Sequence, residues 1–233
     1  MNLDLYYFTL SIPDVERGKQ FYESLFGWKL RPSGPGSYHI ENSHRPGSIA
    51  SGSGGDGPTI YLFADDPQAA VDAVRANGGE ATDVQDARSG PYARCIGPGG
   101  VHFSLGRLRD ELAEEATTSD GATGELGYFV LPVPDVNVGK VFYGGVFGWE
   151  FAPGDQYAHV PAMRPAGGLV VDAAEWPSLW FQVSDIRAKL GEVTALGGAA
   201  AEASESESGW SAACNDDQGT RFNLWQPAPD LAE

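Results

Sequence analysis

The sequence predicts an α+β protein that contains two copies of one module. Residues 6–30 align without a gap to residues 127–151, with 13 identities in 25 positions. The similarity then continues through the rest of the chain at an offset that falls from 121 to 119. Within each copy, one alternating strand pattern, two helix patterns and several short strand patterns follow in the same order, which is typical of a mixed α+β unit.

Each element of the module has a recognisable beginning or end. The first strand, "YYFTLSIP" in the first copy, alternates apolar and polar side chains. Asp14 or Asp135 then caps a helix that ends at Gly27 or Gly148. After further short strands, a second helix follows "DDP", where Pro67 suits the first helical turn, and ends at a Gly-Gly pair. Two short strands close each copy, and the repeated "FYxxxFGW" helix is expected to cover the sheet of its own copy.

The repeat sets the domain boundaries. We expect a first module at 1–106 and a second module at 126–233, joined by a linker at 107–125 that is charged and then rich in Thr, Ser and Gly. The stretch 47–58, "GSIASGSGGDGP", lacks the P-loop pattern, so we interpret it as a flexible hairpin loop and a hypothetical lid.

Composition limits the partners and the compartment. The chain has 233 residues, 32 of them acidic and 15 basic, and a formal net charge of −17. Nucleic acids and anionic membranes are therefore not expected as partners, because they bind basic patches. We see no signal-peptide pattern and no apolar run long enough to span a membrane. The two cysteines, Cys95 and Cys214, occupy matching positions and are expected to pack in the core of a cytoplasmic protein.

The repeated motifs resemble the vicinal oxygen chelate superfamily, which includes glyoxalase I, bleomycin-resistance proteins and extradiol dioxygenases. The resemblance rests on the strand ends "IPD" and "VPD", the "FYxxxFGW" helix, the second helix ending in "GG", and the closing strands "GPGGVHFSL" and "DDQGTRFNL". It covers nearly the whole chain and looks most similar to two-module, glyoxalase-like proteins. It implies two tandem βαβββ modules, each a curved mixed sheet with helices on the convex face, pairing to enclose a concave pocket.

Strand alternation divides the side chains between the two faces. Apolar stripes shared by both copies, such as Phe8, Leu10 and Ile12, are expected under the helices. The opposite, concave face is expected to be aromatic and hydrogen-bonding, and there the two copies differ. The residues expected to bind a substrate on that face are Thr9, Thr59, Tyr61, Phe63, Ser104, Trp180, Gln182, Asn223 and Trp225.

The resemblance implies a metal at the concave strand ends, but the matched positions hold poor ligands. Taken in pairs, these positions are Tyr7 and Tyr128, Thr59 and Ser178, and Ser104 and Asn223. Neutral hydroxyls and a carboxamide do not replace imidazole and carboxylate groups at a divalent metal. We therefore expect no metal and no other cofactor. A site unlike that of the family, built from His39, His44, His102 or His159, stays open at this point.

Two functions fit these residues. The first is a metal-independent lyase- or isomerase-type enzyme that carries out proton transfer, dehydration or ring closure on an aromatic or natural-product-like metabolite. His102 would be the acid or base, with Tyr7, Tyr128 and Arg221 as orienting groups. The alternative is a protein of the bleomycin- or antibiotic-resistance type that sequesters a ligand without turnover. A partner-binding protein with a vestigial cavity is a third interpretation, and a monomer or a homodimer is expected.

Overall fold

The computed structural model describes residues 5–52, 57–87, 89–109, 124–161 and 163–229. The strands of the first copy are β1 (Leu5–Ile12), β2 (Leu30–Gly34), β3 (Ser37–Ile40), β4 (Gly47–Ser51), β5 (Thr59–Phe63), β6 (Glu80–Ala81), β7 (Gln85–Ala87), β8 (Gly90–Ile96) and β9 (His102–Gly106). Its helices are α1 (Val15–Phe26) and α2 (Pro67–Ala76). The first sheet has the order β2-β3-β4-β1-β5-β9-β8-β6, with β7 paired to β8.

The second copy repeats this arrangement. Its strands are β10 (Leu126–Val133), β11 (Tyr157–Val160), β12 (Ala166–Val171), β13 (Ser178–Gln182), β14 (Ala199–Ala200), β15 (Ser204–Ser206), β16 (Gly209–Asn215) and β17 (Arg221–Pro227), and its helices are α3 (Val136–Phe147) and α4 (Ile186–Ala195). The second sheet has the order β11-β12-β10-β13-β17-β16-β14, with β15 paired to β16. The predicted α+β class and the two similar modules with mixed sheets are therefore confirmed.

The predicted ends of the first helix of each copy are also confirmed. Asp14 lies before α1 and its carboxylate accepts hydrogen bonds from the backbone amides of Glu16 and Arg17. Gly27 ends α1 with a φ of 69°, a left-handed conformation that glycine adopts without strain. Asp135 and Gly148 do the same at the two ends of α3. The local sequence thus determines where these helices begin and end.

The predicted apolar stripes lie in the core. Phe8, Leu10 and Ile12 of β1 are each fully buried, whereas Thr9 and Ser11 between them are partly exposed. The same alternation holds in β5, in β13 and over the first half of β17, whereas in β9 Ser104 is buried together with Phe103 and Leu105. Cys95 and Cys214 are both buried, and burial raises the pKa of each thiol to about 12, which suits the predicted packing role.

The chain forms two compact units, and each unit takes parts of both copies. The first unit lies within 1–8, 58–115 and 128–177, and the second within 9–57, 116–127 and 178–233. Strands β1 and β10 each contribute to both units. The module boundaries 1–106 and 126–233 follow the repeat and stay a prediction. Of the predicted linker and the predicted loop, residues 110–123 and 53–56 lie outside the described residues.

In the second unit, three aromatic side chains of α1 pack against the last strand of the other copy. The rings of Phe21, Tyr22 and Phe26 lie with their centroids 6.3, 5.9 and 6.1 Å from that of Phe222 on β17. Phe26 also meets Phe181 of β13 at 5.4 Å. The helix therefore also packs on strands of the other copy, which goes beyond the expectation that it covers the sheet of its own copy.

The first unit repeats this exchange. Phe142, Tyr143 and Phe147 of α3 lie 6.4, 5.9 and 6.1 Å from Phe103 of β9. The apolar pattern shows which face of β9 is buried, but it does not show which copy supplies the helix that buries it. The repeated "FYxxxFGW" motif therefore joins the two copies in both units. No helix among the described residues is long and apolar enough to cross a membrane.

Candidate functional site

The predicted site residues lie on two different sheets. The first sheet carries Tyr7, Thr9, Thr59, Tyr61, Phe63, His102 and Ser104. The second sheet carries Tyr128, Trp180, Gln182, Arg221, Asn223 and Trp225. The four residues predicted to be catalytic are thus divided into two pairs, with His102 and Tyr7 on one sheet and Tyr128 and Arg221 on the other.

Three proton-transfer groups meet on the second sheet, within the first unit. The Tyr128 hydroxyl hydrogen-bonds to the Tyr157 hydroxyl and lies 3.3 Å from Nδ1 of His159. The Tyr128 ring and the imidazole are nearly parallel, with an interplanar angle of 17° and centroids 6.0 Å apart. Two phenols and an imidazole therefore form one connected cluster, which we call the Tyr-Tyr-His cluster.

The intervening strand β12 makes room for this cluster. Tyr128 lies opposite Ala166, and His159 lies opposite Gly168. A Cβ atom on residue 168 would come within 2.9 Å of the Tyr128 hydroxyl and 3.0 Å of the Tyr157 hydroxyl. Both distances are too short for an ordinary contact, so a side chain here would displace the hydroxyls. Glycine at position 168 is thus a requirement of the cluster.

Burial sets the protonation states in the cluster. Desolvation lowers the pKa of His159, and the positive charge of Arg164 acts in the same direction, whereas a hydrogen bond from the imidazole to the Gly167 backbone raises the pKa. The imidazole is therefore neutral at neutral pH and can accept a proton. Burial also raises the pKa of Tyr157 to about 12, so its phenol keeps its proton and remains a hydrogen-bond donor.

The first sheet presents a different surface, made of five aromatic rings in the first unit. Tyr61 is at the centre, with its centroid 6.0 Å from that of Tyr6, 5.7 Å from Tyr7 and 6.4 Å from Tyr92. Phe63 meets Tyr6 at 6.4 Å. All five side chains are partly exposed. We call this set, Tyr6, Tyr7, Tyr61, Phe63 and Tyr92, the aromatic face.

His102 lies at the start of β9 and is stacked on a tryptophan. Its ring and that of Trp176 are nearly parallel, at 15°, with centroids 4.4 Å apart. The backbone amide of His102 also donates to the carbonyl of Glu175, which precedes Trp176. Ser104, two residues further along β9, is buried and lies opposite Tyr61. His102 is therefore held by the loop that follows β12.

Thr9 takes part in a hydroxyl pair within the second unit. Thr9 Oγ1 and Ser48 Oγ are 2.9 Å apart, and His39 lies opposite Ser48 in the β3–β4 pair. His39 thus matches His159, which lies opposite Gly168 in the β11–β12 pair. The first copy therefore has Ser48 where the second copy has Gly168, while Tyr7 and His39 match Tyr128 and His159.

Of the predicted site residues on β17, two donate hydrogen bonds to backbone carbonyls and one lies at the first position of the strand. Asn223 Nδ2 donates to the Leu179 carbonyl at 3.1 Å, and Trp225 Nε1 donates to the Ser208 carbonyl at 3.0 Å. Arg221 is exposed at the first position of β17. Trp180 and Gln182 lie opposite Asn223 and Trp225 and are partly exposed, as is Thr59 on β5.

The side chains at the superfamily's metal positions do not fit a divalent metal. On the last strands, Ser104 is a buried hydroxyl and the Asn223 amide is bound to a carbonyl. On the first strands, the Tyr7 ring contacts the Tyr61 ring, and the Tyr128 hydroxyl lies in hydrogen-bond contact with His159. Within the described ranges, no group of three His, Cys, Asp or Glu side chains could hold an ion together. This donor set lacks the imidazole and carboxylate ligands that such metals prefer.

Sequence reasoning missed several residues of these surfaces. The partners of Tyr128, which are Tyr157 and His159, are separated by two positions in "YAHV", and this spacing places both on one face of a strand. That pattern could have revealed the pair. Tyr6, Tyr92 and Trp176 offered no comparable signal, because their contacts depend on neighbouring strands and on a loop.

No family model matches the chain. It is 26% identical over 229 residues to the anthracycline biosynthesis protein DauV of Streptomyces sp. (strain C5), and the match covers 82% of this chain and 81% of the relative. It is 27% identical over 173 residues to the anthracycline biosynthesis protein DnrV of Streptomyces peucetius, covering 64% of this chain and 61% of that protein.

Solved structures of dioxygenases share the fold over nearly the whole chain. The 2,3-dioxygenase LapB from Pseudomonas sp. KL28 has a TM-score of 0.70 at 13% identity, with 98% of this chain and 94% of LapB covered. Homoprotocatechuate 2,3-dioxygenase from Arthrobacter globiformis has a TM-score of 0.67 at 14% identity, with 99% and 82% covered. Likenesses at this level of identity concern the fold. The chain therefore shares the fold of these dioxygenases, as the resemblance of its repeated motifs predicts.

Proposed function

We propose that this protein is a metal-independent enzyme that carries out a proton transfer on a planar aromatic, natural-product-like metabolite. The observation that carries the proposal is the Tyr-Tyr-His cluster, in which a partly buried, neutral imidazole lies within hydrogen-bond reach of a phenol. The two relatives named for anthracycline biosynthesis support the ligand class.

Each group of the cluster has a role in this proposal. His159, through Tyr128, accepts a proton from an acidic C–H or O–H group of the metabolite. For a C–H group beside a carbonyl, the C–H bond breaks, an N–H bond forms on the imidazole, and the electron pair moves to the carbonyl oxygen. The Tyr157 hydroxyl, which keeps its proton because burial raises its pKa to about 12, donates a hydrogen bond to that oxygen. Return of the proton from the imidazole to another carbon gives isomerisation. Transfer of that proton to a hydroxyl group beside the enolate, which then leaves as water, gives dehydration.

The reaction in this proposal needs no metal. The hydroxyl and carboxamide groups at the superfamily's ligand positions support this, because proton transfer to an imidazole replaces activation by a Lewis acid. We favour His159 over His102 as the base, since His159 has a phenol beside its Nδ1 atom whereas the His102 ring is stacked on Trp176. The orienting role predicted for Tyr7 and Arg221 stays a prediction and is not part of this proposal.

The test uses anthrone, a planar tricyclic ketone whose methylene protons exchange through its enol form. We expect wild-type protein to accelerate exchange of these protons in deuterated buffer, followed by proton NMR. Replacement of His159 by Gln should lower the protein-dependent rate about 100-fold, the usual size of a general-base contribution. Anthrone affinity, measured by calorimetry, should change less than about threefold, because the base is not the main binding surface.

His39→Gln is the matched control, because His39 lies opposite Ser48 as His159 lies opposite Gly168. This variant should keep the wild-type exchange rate. Equal loss in both variants would contradict the proposal. Binding of anthrone without any acceleration of exchange would favour the alternative, a protein that sequesters its ligand, which the aromatic face also suits.

The pH dependence offers an independent check on the base. Since burial lowers the pKa of His159, the imidazole stays neutral below the ordinary histidine value of about 6.5. The exchange rate should therefore remain high as the pH falls through about 6.5 and decline only at lower pH. A decline centred at or above that value would exclude His159 as the base.

A further inference from the structure

A charged side chain on β8, Arg94, is not used by the proposed reaction. We infer that Arg94 binds the carboxylate of an aromatic acid, so that the ligand of the first unit is a planar molecule with one anionic group. This inference deepens the proposed function and rests on it only in taking the ligand to be the substrate. Binding of the carboxylate can be measured without turnover.

Ring contacts and strand alternation show which face of the first sheet carries Arg94. The Tyr92 ring lies 6.4 Å from the Tyr61 ring, so both project from one face. Arg94 is two positions after Tyr92 on β8, and side chains two positions apart share a face of a strand. Ala93 and Cys95, which alternate with them, are buried in the core. The guanidinium therefore belongs to the face opposite the core.

Arg94 lies between two apolar side chains on this face. Tyr92 precedes it by two positions and Ile96 follows it by two, and both are partly exposed, whereas Arg94 is exposed. Its neighbour across the β8–β9 pair is Ser104, a short side chain that is buried. The guanidinium is thus an exposed cation flanked by apolar surface. This combination suits a ligand with an apolar body and one anionic group.

Arg94 differs from other arginines of the chain in its partners. Arg31 forms an ion pair with Glu41, and Arg75 forms one with Asp83. Within the part of the chain that the structure describes, no acidic side chain forms an ion pair with Arg94, although the sequence contains 32 acidic residues. A guanidinium has five N–H donors in a planar fork that matches a carboxylate. These donors suit the carboxylate of a ligand.

Hydrogen bonds fix the backbone of Arg94 on both sides. On one side, β8 pairs with β9 in the register that places Arg94 opposite Ser104. On the other side, the Arg94 amide donates to Thr82 Oγ1 at 3.1 Å, and the Thr82 amide donates to the Arg94 carbonyl at 2.9 Å. A ligand therefore needs to order only the side chain of Arg94, which keeps the entropic cost of binding small.

The second copy has no cation at the matching position. Ala213 lies opposite Asn223 as Arg94 lies opposite Ser104. Because the chain has a formal net charge of −17, it repels anions in general, and an anionic ligand needs a local cation. We therefore expect the sheet of the first copy to bind the carboxylate.

The test compares two fluorescent probes with the same ring system, anthracene-2-carboxylate and the neutral 2-(hydroxymethyl)anthracene, by fluorescence titration. Wild-type protein should bind the carboxylate at least about tenfold more tightly, since a hydrogen bond to a charged group contributes at that level. Arg94→Gln should weaken binding of the carboxylate about 10- to 100-fold and binding of the alcohol less than about threefold. Arg94→Lys should keep part of the preference, because it keeps the charge without the planar fork.

Arg31→Gln is the matched control, because it makes the same change of charge at an exposed arginine of the second unit. This variant should keep the wild-type preference for the carboxylate. Since Arg94 is exposed, Arg94→Gln should also unfold at the same urea concentration as the wild type, so a lost preference would not result from unfolding.

The outcomes distinguish this inference from the proposed function. A preference for the carboxylate that Arg94→Gln removes, in a protein whose wild type accelerates exchange of anthrone protons, supports both. The same loss in a protein without exchange activity supports the role of Arg94 and contradicts the proposed function. Equal affinity of the wild type for the two probes, a preference that Arg94→Gln retains, or no binding of either probe overturns the inference.

Discussion

The two copies contact each other at two interfaces, one in each compact unit, where an aromatic helix of one copy packs on the last strand of the other. We call these interfaces the joints, and they differ in their polar contacts. In the second unit, the buried Tyr22 hydroxyl donates to Oδ2 of Asp216 at 3.2 Å. In the first unit, the hydroxyl of the matching Tyr143 is buried and has no hydrogen-bond partner among the described residues. The repeat places Gly97 where the second copy has Asp216. The duplicated aromatic packing was kept in both joints, whereas the acceptor exists in one.

The tryptophan that follows each helix shows the same difference. Trp28 Nε1 donates to the carbonyl of Gly124 at 3.2 Å, whereas Trp149 Nε1 is buried without a partner among the described residues. Apolar packing needs only a side chain of suitable volume on the correct face. A buried donor needs one particular acceptor at hydrogen-bond distance. Duplication therefore preserves the first kind of contact more easily than the second.

The loop around Asp216 adds further polar contacts to the second joint. The Gln218 side chain accepts from the backbone amide of Asp14 and donates to its carbonyl, at 2.7 and 3.0 Å. Arg17 forms an exposed ion pair with Asp217 at 2.7 Å. In the first copy the repeat places Pro98 and Gly99 at the positions of Asp217 and Gln218, and neither has a polar side chain. The second joint thus fixes the start of α1 with side chains that the first joint lacks.

The largest expected effect concerns the apolar part that both joints share. Phe103→Ala and Phe222→Ala should each lower the free energy of unfolding by about 3–5 kcal/mol, because each removes a buried ring that contacts three aromatic rings of a helix. Urea unfolding measures both values. Val141→Ala, on the exposed face of α3, is the control and should change stability by less than about 0.5 kcal/mol. A loss in only one of the two Phe variants would show that the joints are not equivalent in packing.

A smaller effect on the free energy of unfolding should distinguish the two joints. Tyr22→Phe removes a buried hydrogen bond to a carboxylate and should cost about 1–3 kcal/mol of unfolding free energy. Tyr143→Phe removes a hydroxyl that has no partner among the described residues, and it should be neutral or stabilising by up to about 1 kcal/mol. Urea unfolding of the two variants gives the comparison directly. Equal destabilisation by both changes would mean that Tyr143 has an acceptor too.

The smallest expected effect is a difference between the wild type and Asp216→Asn in the way the free energy of unfolding depends on pH. Burial raises the pKa of Asp216, against the hydrogen bonds from Gln218, Thr220 and Tyr22 that lower it. The folded state therefore binds this proton more tightly than the unfolded chain. The resulting stabilisation is complete below the ordinary carboxyl value of about 3.9 and is lost as the pH rises through the raised pKa.

Asp216→Asn lacks this titration. As the pH falls from about 7 towards 5, the stability of the wild type relative to Asp216→Asn should rise, as measured by urea unfolding at each pH. A constant difference, or a change in the opposite direction, would show that the pKa of Asp216 is not raised in the folded protein.

Local rules explain why much of the fold was predictable. Asp14 and Gly27 mark the ends of α1 through interactions within a few residues, and the buried stripe of Phe8, Leu10 and Ile12 follows from the period of a strand. The exchange of aromatic helices between copies was not predictable in this way. The pattern around Phe103 shows that the residue is buried, but the identity of its neighbours depends on contacts between distant parts of the chain.

The sites were less predictable than the fold for the same reason. Tyr128 was selected from its strand position, yet its chemistry depends on His159, which lies on another strand, β11. Strand alternation places Tyr6 with the buried stripe, but the structure turns it towards Tyr61. Side chains at the ends of strands and in loops are positioned by several elements together, so a single sequence period does not determine where they point.

The most direct test of the proposed chemistry compares Tyr128→Phe with Tyr7→Phe, because these tyrosines occupy the same position of the first strand in the two copies. The measurement is the protein-dependent exchange of anthrone protons in deuterated buffer. We predict that Tyr128→Phe lowers the rate about 100-fold, since it removes the phenol that connects the ligand to His159, and that Tyr7→Phe changes it less than about twofold. An equal loss in both variants, or a larger loss in Tyr7→Phe, would contradict the assignment of the reaction to the Tyr-Tyr-His cluster.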